Sequence, residues 1–89
     1  MSAVEIAVEA AGWTGAALIL GAYVLVTAGR VTGQSPVFQW MNVAGAIGFT
    51  INGWWHRALP SAVLNVIWAA IGLVALWKIA RSGSSTSAM

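Results

Sequence analysis

The sequence predicts an all-α integral membrane protein: a three-transmembrane-helix bundle with its amino terminus outside, its carboxyl terminus in the cytoplasm, and a homodimer as its working unit. Three observations predict it. Of 89 residues, 60% are hydrophobic and 7% charged, against roughly 25% charged in an ordinary soluble domain. Six charged side chains (four Lys or Arg, two Asp or Glu) cannot build the polar exterior that a short soluble domain needs. The apolar residues fall into three runs, each close to the ~20 residues that cross a ~30 Å hydrocarbon core as helix, and tryptophans mark the ends of those runs.

The helices are expected at about residues 11–29, 36–56 and 59–81. Residues 1–10 form an extracytoplasmic segment, and 82–89 form a disordered Ser-rich tail. A cleaved signal peptide is disfavoured for the first run, because Glu5 and Glu9 precede it where a positive region would be needed. Ser35-Pro36 reads as an N-cap followed by Pro at the first helical position, and Pro60 sits in the first turn of the third helix. The connectors around residues 30–35 and 56–58 are short enough for antiparallel hairpins. Arg30 shares one side with Lys78 and Arg81, whereas the second connector holds only Arg57. That bias sets the orientation. Trp13, Trp40, Trp54, Trp55 and Trp77 lie at or near run ends, as interfacial indoles do. Trp68 lies near the middle of its run, and its role stays open.

The second run is the least apolar. Asn42, Gly45, Phe49, Asn52 and His56 fall within about 80° of helical arc, and the third run repeats the pattern with Ser61, Asn65, Trp68, Gly72 and Ala75. Unpaired amides are costly in hydrocarbon and small residues let backbones approach, so each stripe is expected to face a helix or a polar cavity. The first run supplies small-xxx-small pairs at Gly12/Ala16 and Ala17/Gly21, with Tyr23 as its deep polar group. Rise per residue places Tyr23 and Asn42 in one inner layer, about 9 Å from the cytoplasmic edge. Asn52 and Asn65 are expected in an outer layer. Amides of this kind serve either as interhelical glue or as contacts for a solute.

Absences narrow the function. No acid or base lies inside any run, which disfavours ion coupling, and His56 beside Arg57 reads as a solvated histidine. With no Cys, one His and two acids, no metal, cofactor or disulfide is expected. No nucleophile and base share catalytic spacing, so the chain is not expected to be an enzyme. A net charge of +2 makes no basic patch for nucleic acid.

Residues 48–53 and 60–65 resemble the bacterial half-size sugar transporters called SemiSWEETs. Pro60 and Asn65 match that family's Pro and sugar-contacting Asn, Gly53 matches its glycine, Asn52 stands where it has Tyr, and Phe49 stands where it has the sugar-contacting Trp. Gly21, Ala22 and Tyr23 occupy the run in which that family carries Pro-Gln. The chain is more similar still to a group of uncharacterised small three-span bacterial proteins. It shares their Gly12-Trp13-x-Gly15, Ala22-Tyr23, Asn42-x-x-Gly45 and Pro60-Ser61-x-x-x-Asn65-x-x-Trp68.

The resulting expectation is a passive half-transporter of the bacterial cytoplasmic membrane. Two copies would enclose a path for a small neutral polar solute such as a sugar. Phe49, Asn52 and Asn65 would contact the solute, and Tyr23 with Asn42 would form an inner gate. The alternative is a structural or accessory membrane subunit whose stripes pack against partner helices.

Overall fold

The computed structural model describes residues 1–82 and holds three helices: α1 (Ala3–Thr27), α2 (Pro36–Trp55) and α3 (Leu59–Arg81). α1 starts well before the expected residue 11. Ser2 and Glu5 form a capping box, with the Glu5 N–H donating to Ser2 Oγ at 3.1 Å and the Ser2 N–H donating to Glu5 Oε1 at 2.7 Å. Residues 3–10 are therefore the first turns of α1 rather than a separate segment. Hydropathy marks where a helix turns apolar, whereas the cap marks where it begins.

Two helix ends share one geometry. After α1, the Gly29 N–H donates to Val26 O and the Arg30 N–H to Leu25 O, with Gly29 at φ 75°. This is a Schellman close with glycine in the left-handed position. After α2, the Arg57 N–H donates to Trp54 O and the Ala58 N–H to Gly53 O, but the left-handed residue is Arg57, at φ 58°. A side chain there is strained. Ser35 holds the N-cap position of α2 and is fully buried, yet its hydroxyl does not cap the helix. Instead Ser35 Oγ accepts from the Thr32 N–H at 3.0 Å, and the Ser35 N–H donates to Thr32 O, which ties down the α1–α2 connector. Ser82 closes α3 through its hydroxyl bond to Ile79 O; the rest of the expected tail, 83–89, lies outside the described residues.

α2 is the shared partner. It packs against both α1 and α3, while no Cα of α1 comes within 8 Å of a Cα of α3 among the described residues. The α1–α2 register is antiparallel and glycine-built. A Cβ on Gly15 would lie 2.7 Å from Gly45 O, one on Gly45 would lie 2.5 Å from an Ile19 carbon, and one on Gly48 would collide with Ala11 O. On the other side Gly53 meets Ala62, and Gly72 meets Val43. The buried apolar residues are Val8, Ala22, Val43, Ala46 and Ala62, and large side chains point outward, with Trp13 74% and Trp54 70% exposed. α1 and α3 are long and apolar enough to cross a membrane. α2, which carries Gln39, Asn42, Thr50 and Asn52, is not among the helices that meet that criterion.

Two glycines separate tight from ordinary contact. Gly48→Ala is expected to destabilise the α1–α2 pair by about 1–3 kcal/mol, because backbone rather than a movable side chain blocks its Cβ. Gly53→Ala, with nothing nearer than 3.4 Å, is expected to be neutral or to gain up to about 1 kcal/mol of helix propensity. Arg57→Gly should gain about 1 kcal/mol by relieving the left-handed strain. Unfolding titrations of the three variants in one micelle or bicelle system check the ranking.

Candidate functional site: an open groove across α2

Because α1 and α3 both lean on α2 without a close backbone approach to each other, one face of α2 lies at the floor of a groove. Its volume is about 540 Å³. Tyr23 with Ile19 and Leu20 forms the α1 wall, Asn42 with Phe38 and Phe49 the floor, and Trp68 the α3 wall. A cleft of about 310 Å³ continues it between α2 and α3, sharing Phe38, Asn42 and Trp68 and adding Gln39. Toward the other end, a cleft of about 250 Å³ shares Ala16 and Phe49 and is bordered by Glu9, Gly12, Trp13 and Asn52.

Each polar group has a definite position. Asn42 is only 8% exposed, and its Nδ2 donates to Phe38 O at 3.0 Å, one turn back on its own helix. Thr50 Oγ1 donates in the same way to Ala46 O at 2.8 Å. Asn52 instead crosses to α1, where its Nδ2 donates to Val8 O at 3.1 Å. A Cβ on Gly12 would lie 2.6 Å from that nitrogen, so glycine makes room for the amide. Asn65 Nδ2 donates to Ser61 O at 2.9 Å on its own helix.

The residues picked from sequence divide accordingly. Tyr23 and Asn42 line the same groove, and contact between Gly21 and the Met41 side chain fits their shared level. Phe49 lines both the groove and the adjoining cleft, and Asn52 borders that cleft. Asn65 lines neither of them nor the Gln39 cleft. Asn52 and Asn65 do not meet through hydrogen bonds, since one bonds α1 and the other its own helix. The helical stripe of α2 faces α1 through Gly45, Asn52 and His56.

Sequence reasoning missed two features. Trp68 supplies the α3 wall of the groove. Its mid-run position, unlike that of the other tryptophans, was the available signal. His56 is not merely solvated: its Nε2 lies 2.8 Å from Glu9 Oε2, joining the exposed end of α2 to α1. Had α1 been started at its Ser2/Glu5 capping box, Glu9 would have been placed on the helix and opposite His56. Among the described residues no group of three or more His, Cys, Asp or Glu could hold a metal ion. The groove presents an amide, a phenol, an indole and two phenyl rings, groups that bind by hydrogen bonding and ring contact.

A family model matches residues 8–83, a range that includes all of α2 and α3 and most of α1. Neither the curated proteins nor the solved structures give a match.

The two amides make different demands on the fold. Asn52→Ala is expected to cost about 0.6–1.7 kcal/mol, the range for an interhelical hydrogen bond in a bilayer, whereas Asn65→Ala should stay within about 0.5 kcal/mol. Paired unfolding measurements separate them.

Proposed function

The chain belongs to that uncharacterised family, and from the groove its helices form we propose that it is a passive half-transporter. In this reading it spans the bacterial cytoplasmic membrane three times, amino terminus out. Two copies close their open faces on each other about an axis along the membrane normal, and a small neutral solute crosses between them. The observation that carries the reading is the convergence of Tyr23, Asn42, Phe49 and Trp68, from three helices, on one groove left open on one side. Such a half-site is completed by a second copy.

Supporting features come from the surface and the ends. Outward tryptophans over a glycine and alanine interior are the arrangement expected when lipid is the outer solvent. The antiparallel order gathers Arg30, Lys78 and Arg81 at one end, with Arg81 4.9 Å over the Trp77 ring, and Glu5, Glu9, His56 and Arg57 at the other. That asymmetry supports the cation-rich end facing the cytoplasm. A second reading, an accessory subunit that packs against partner helices, is favoured by the outer face of α3. There Val66, Ile67, Ala70, Ile71 and Val74 border an apolar hollow of about 370 Å³.

Proteoliposome flux distinguishes the readings. Uptake of small neutral solutes above protein-free vesicles is expected, with Asn42→Leu slowing it and a Tyr23→Cys disulfide between copies arresting it reversibly. A wild-type chain that passes none of a panel of polyols, alcohols and amides would leave the accessory reading in its place.

A further inference from the structure

The same groove also limits what kind of solute fits. Its polar equipment is the Asn42 amide, the Tyr23 hydroxyl and the Trp68 indole, while Phe38, Phe49 and aliphatic side chains form the remaining surface. A hexose brings about five hydroxyls, and each one buried without a partner costs ~1–3 kcal/mol, so a polyol would lose more here than the rings return. Asn42 adds a positive requirement. Its Nδ2 donates to Phe38 O, an acceptor, which sets the orientation of the amide. Its Oδ1 accepts from no described group, although the residue is more than nine-tenths buried. No buried side-chain oxygen or nitrogen is both sealed and unpaired among the described residues, so Oδ1 reaches open space, and the spaces that Asn42 lines are the groove and the Gln39 cleft that continues it.

We infer that the groove takes a neutral amphiphile with an apolar or aromatic body and a single hydrogen-bond donor, a phenol or hydrophobic alcohol rather than a sugar. The donor is bound by Asn42 Oδ1, and the body lies against Phe49, Trp68 and Phe38. The inference rests on the groove being the solute site, as proposed above, and narrows the solute from neutral and polar to neutral and mostly apolar.

The test is equilibrium dialysis of 1-naphthol, naphthalene and glucose against lipid nanodiscs holding the full chain, with empty nanodiscs correcting for partition into lipid. Saturable naphthol retention is expected, about fivefold tighter than that of naphthalene, the worth of one neutral hydrogen bond. Glucose should not compete. Asn42→Leu should erase the naphthol preference while keeping naphthalene. In the wild-type chain, naphthol but not naphthalene should shift the Asn42 side-chain amide resonance, a readout that survives if the variant misfolds. Equal retention of the two aromatics, competition by glucose, an unmoved Asn42 resonance, or a groove closed to naphthol by a second copy or an acyl chain would each overturn the inference. Naphthol binding through Asn42 without flux would refute transport and leave this inference standing; glucose flux without naphthol binding would do the reverse.

Discussion

The close approach of α1 and α2 at Gly15, Gly45 and Gly48 sets most of the remaining structure. Here carbonyl oxygens of each helix lie where a side chain of the other would begin, so this register requires glycine at those positions. That register places Asn52 within reach of Val8 O and Glu9 opposite His56. It also excludes large side chains from the interior. Apart from Val8 and Val43, the buried apolar residues are alanines, and the exposed Trp, Ile and Leu side chains make the apolar surface a consequence of the glycine seam as much as of composition.

Polar groups follow the same division. Where two helices touch, an amide can be shared, and Asn52 is. On the groove floor Asn42 bonds no neighbouring helix, and its Nδ2 turns to a carbonyl one turn back on its own helix. A fallback bond of that kind occupies one part of an amide and leaves its oxygen exposed to whatever fills the gap. Asn42 and Asn52 are identical side chains on one stripe of one helix. Their different chemistry comes from whether a neighbour is present.

Periodicity and chemistry could be read in advance at particular positions, and neighbour identity could not. The starts of α2 and α3 followed from Pro36 and Pro60, whose rings suit a first helical turn. Apolar content does not locate the start of α1, which Ser2 and Glu5, standing at the spacing of a capping box, do locate. The stripes correctly gathered Asn42, Phe49 and Asn52 on one side of α2. A stripe, however, names a face and not its partner. Nothing in a 3, 4, 3, 4 spacing reveals that α1 and α3 stay apart, and so nothing separates an Asn65 bonded to its own helix from an Asn42 on a groove floor.

The two sides of α2 also differ in how firmly they are held. α1 is fixed by backbone contact at the glycine seam, by the Asn52–Val8 hydrogen bond and by the Glu9–His56 pair. No side chain within α3 hydrogen-bonds to α2 among the described residues, and the Gly53–Ala62 approach is ordinary van der Waals contact. Displacing α3 therefore breaks fewer side-chain hydrogen bonds to α2 than displacing α1 does. Since α3 carries Trp68, the Tyr23 wall of the groove lies on the helix that hydrogen-bonds to α2, and the Trp68 wall on the helix held by packing. The width of the groove is set in part by the α2–α3 contact, where a Cβ on Gly72 would lie 2.6 Å from a Val43 methyl carbon. Phe49 and Trp68 line the groove from α2 and α3, so a ring held between them, as the proposed solute would be, would add a contact across the two helices that no side-chain hydrogen bond joins.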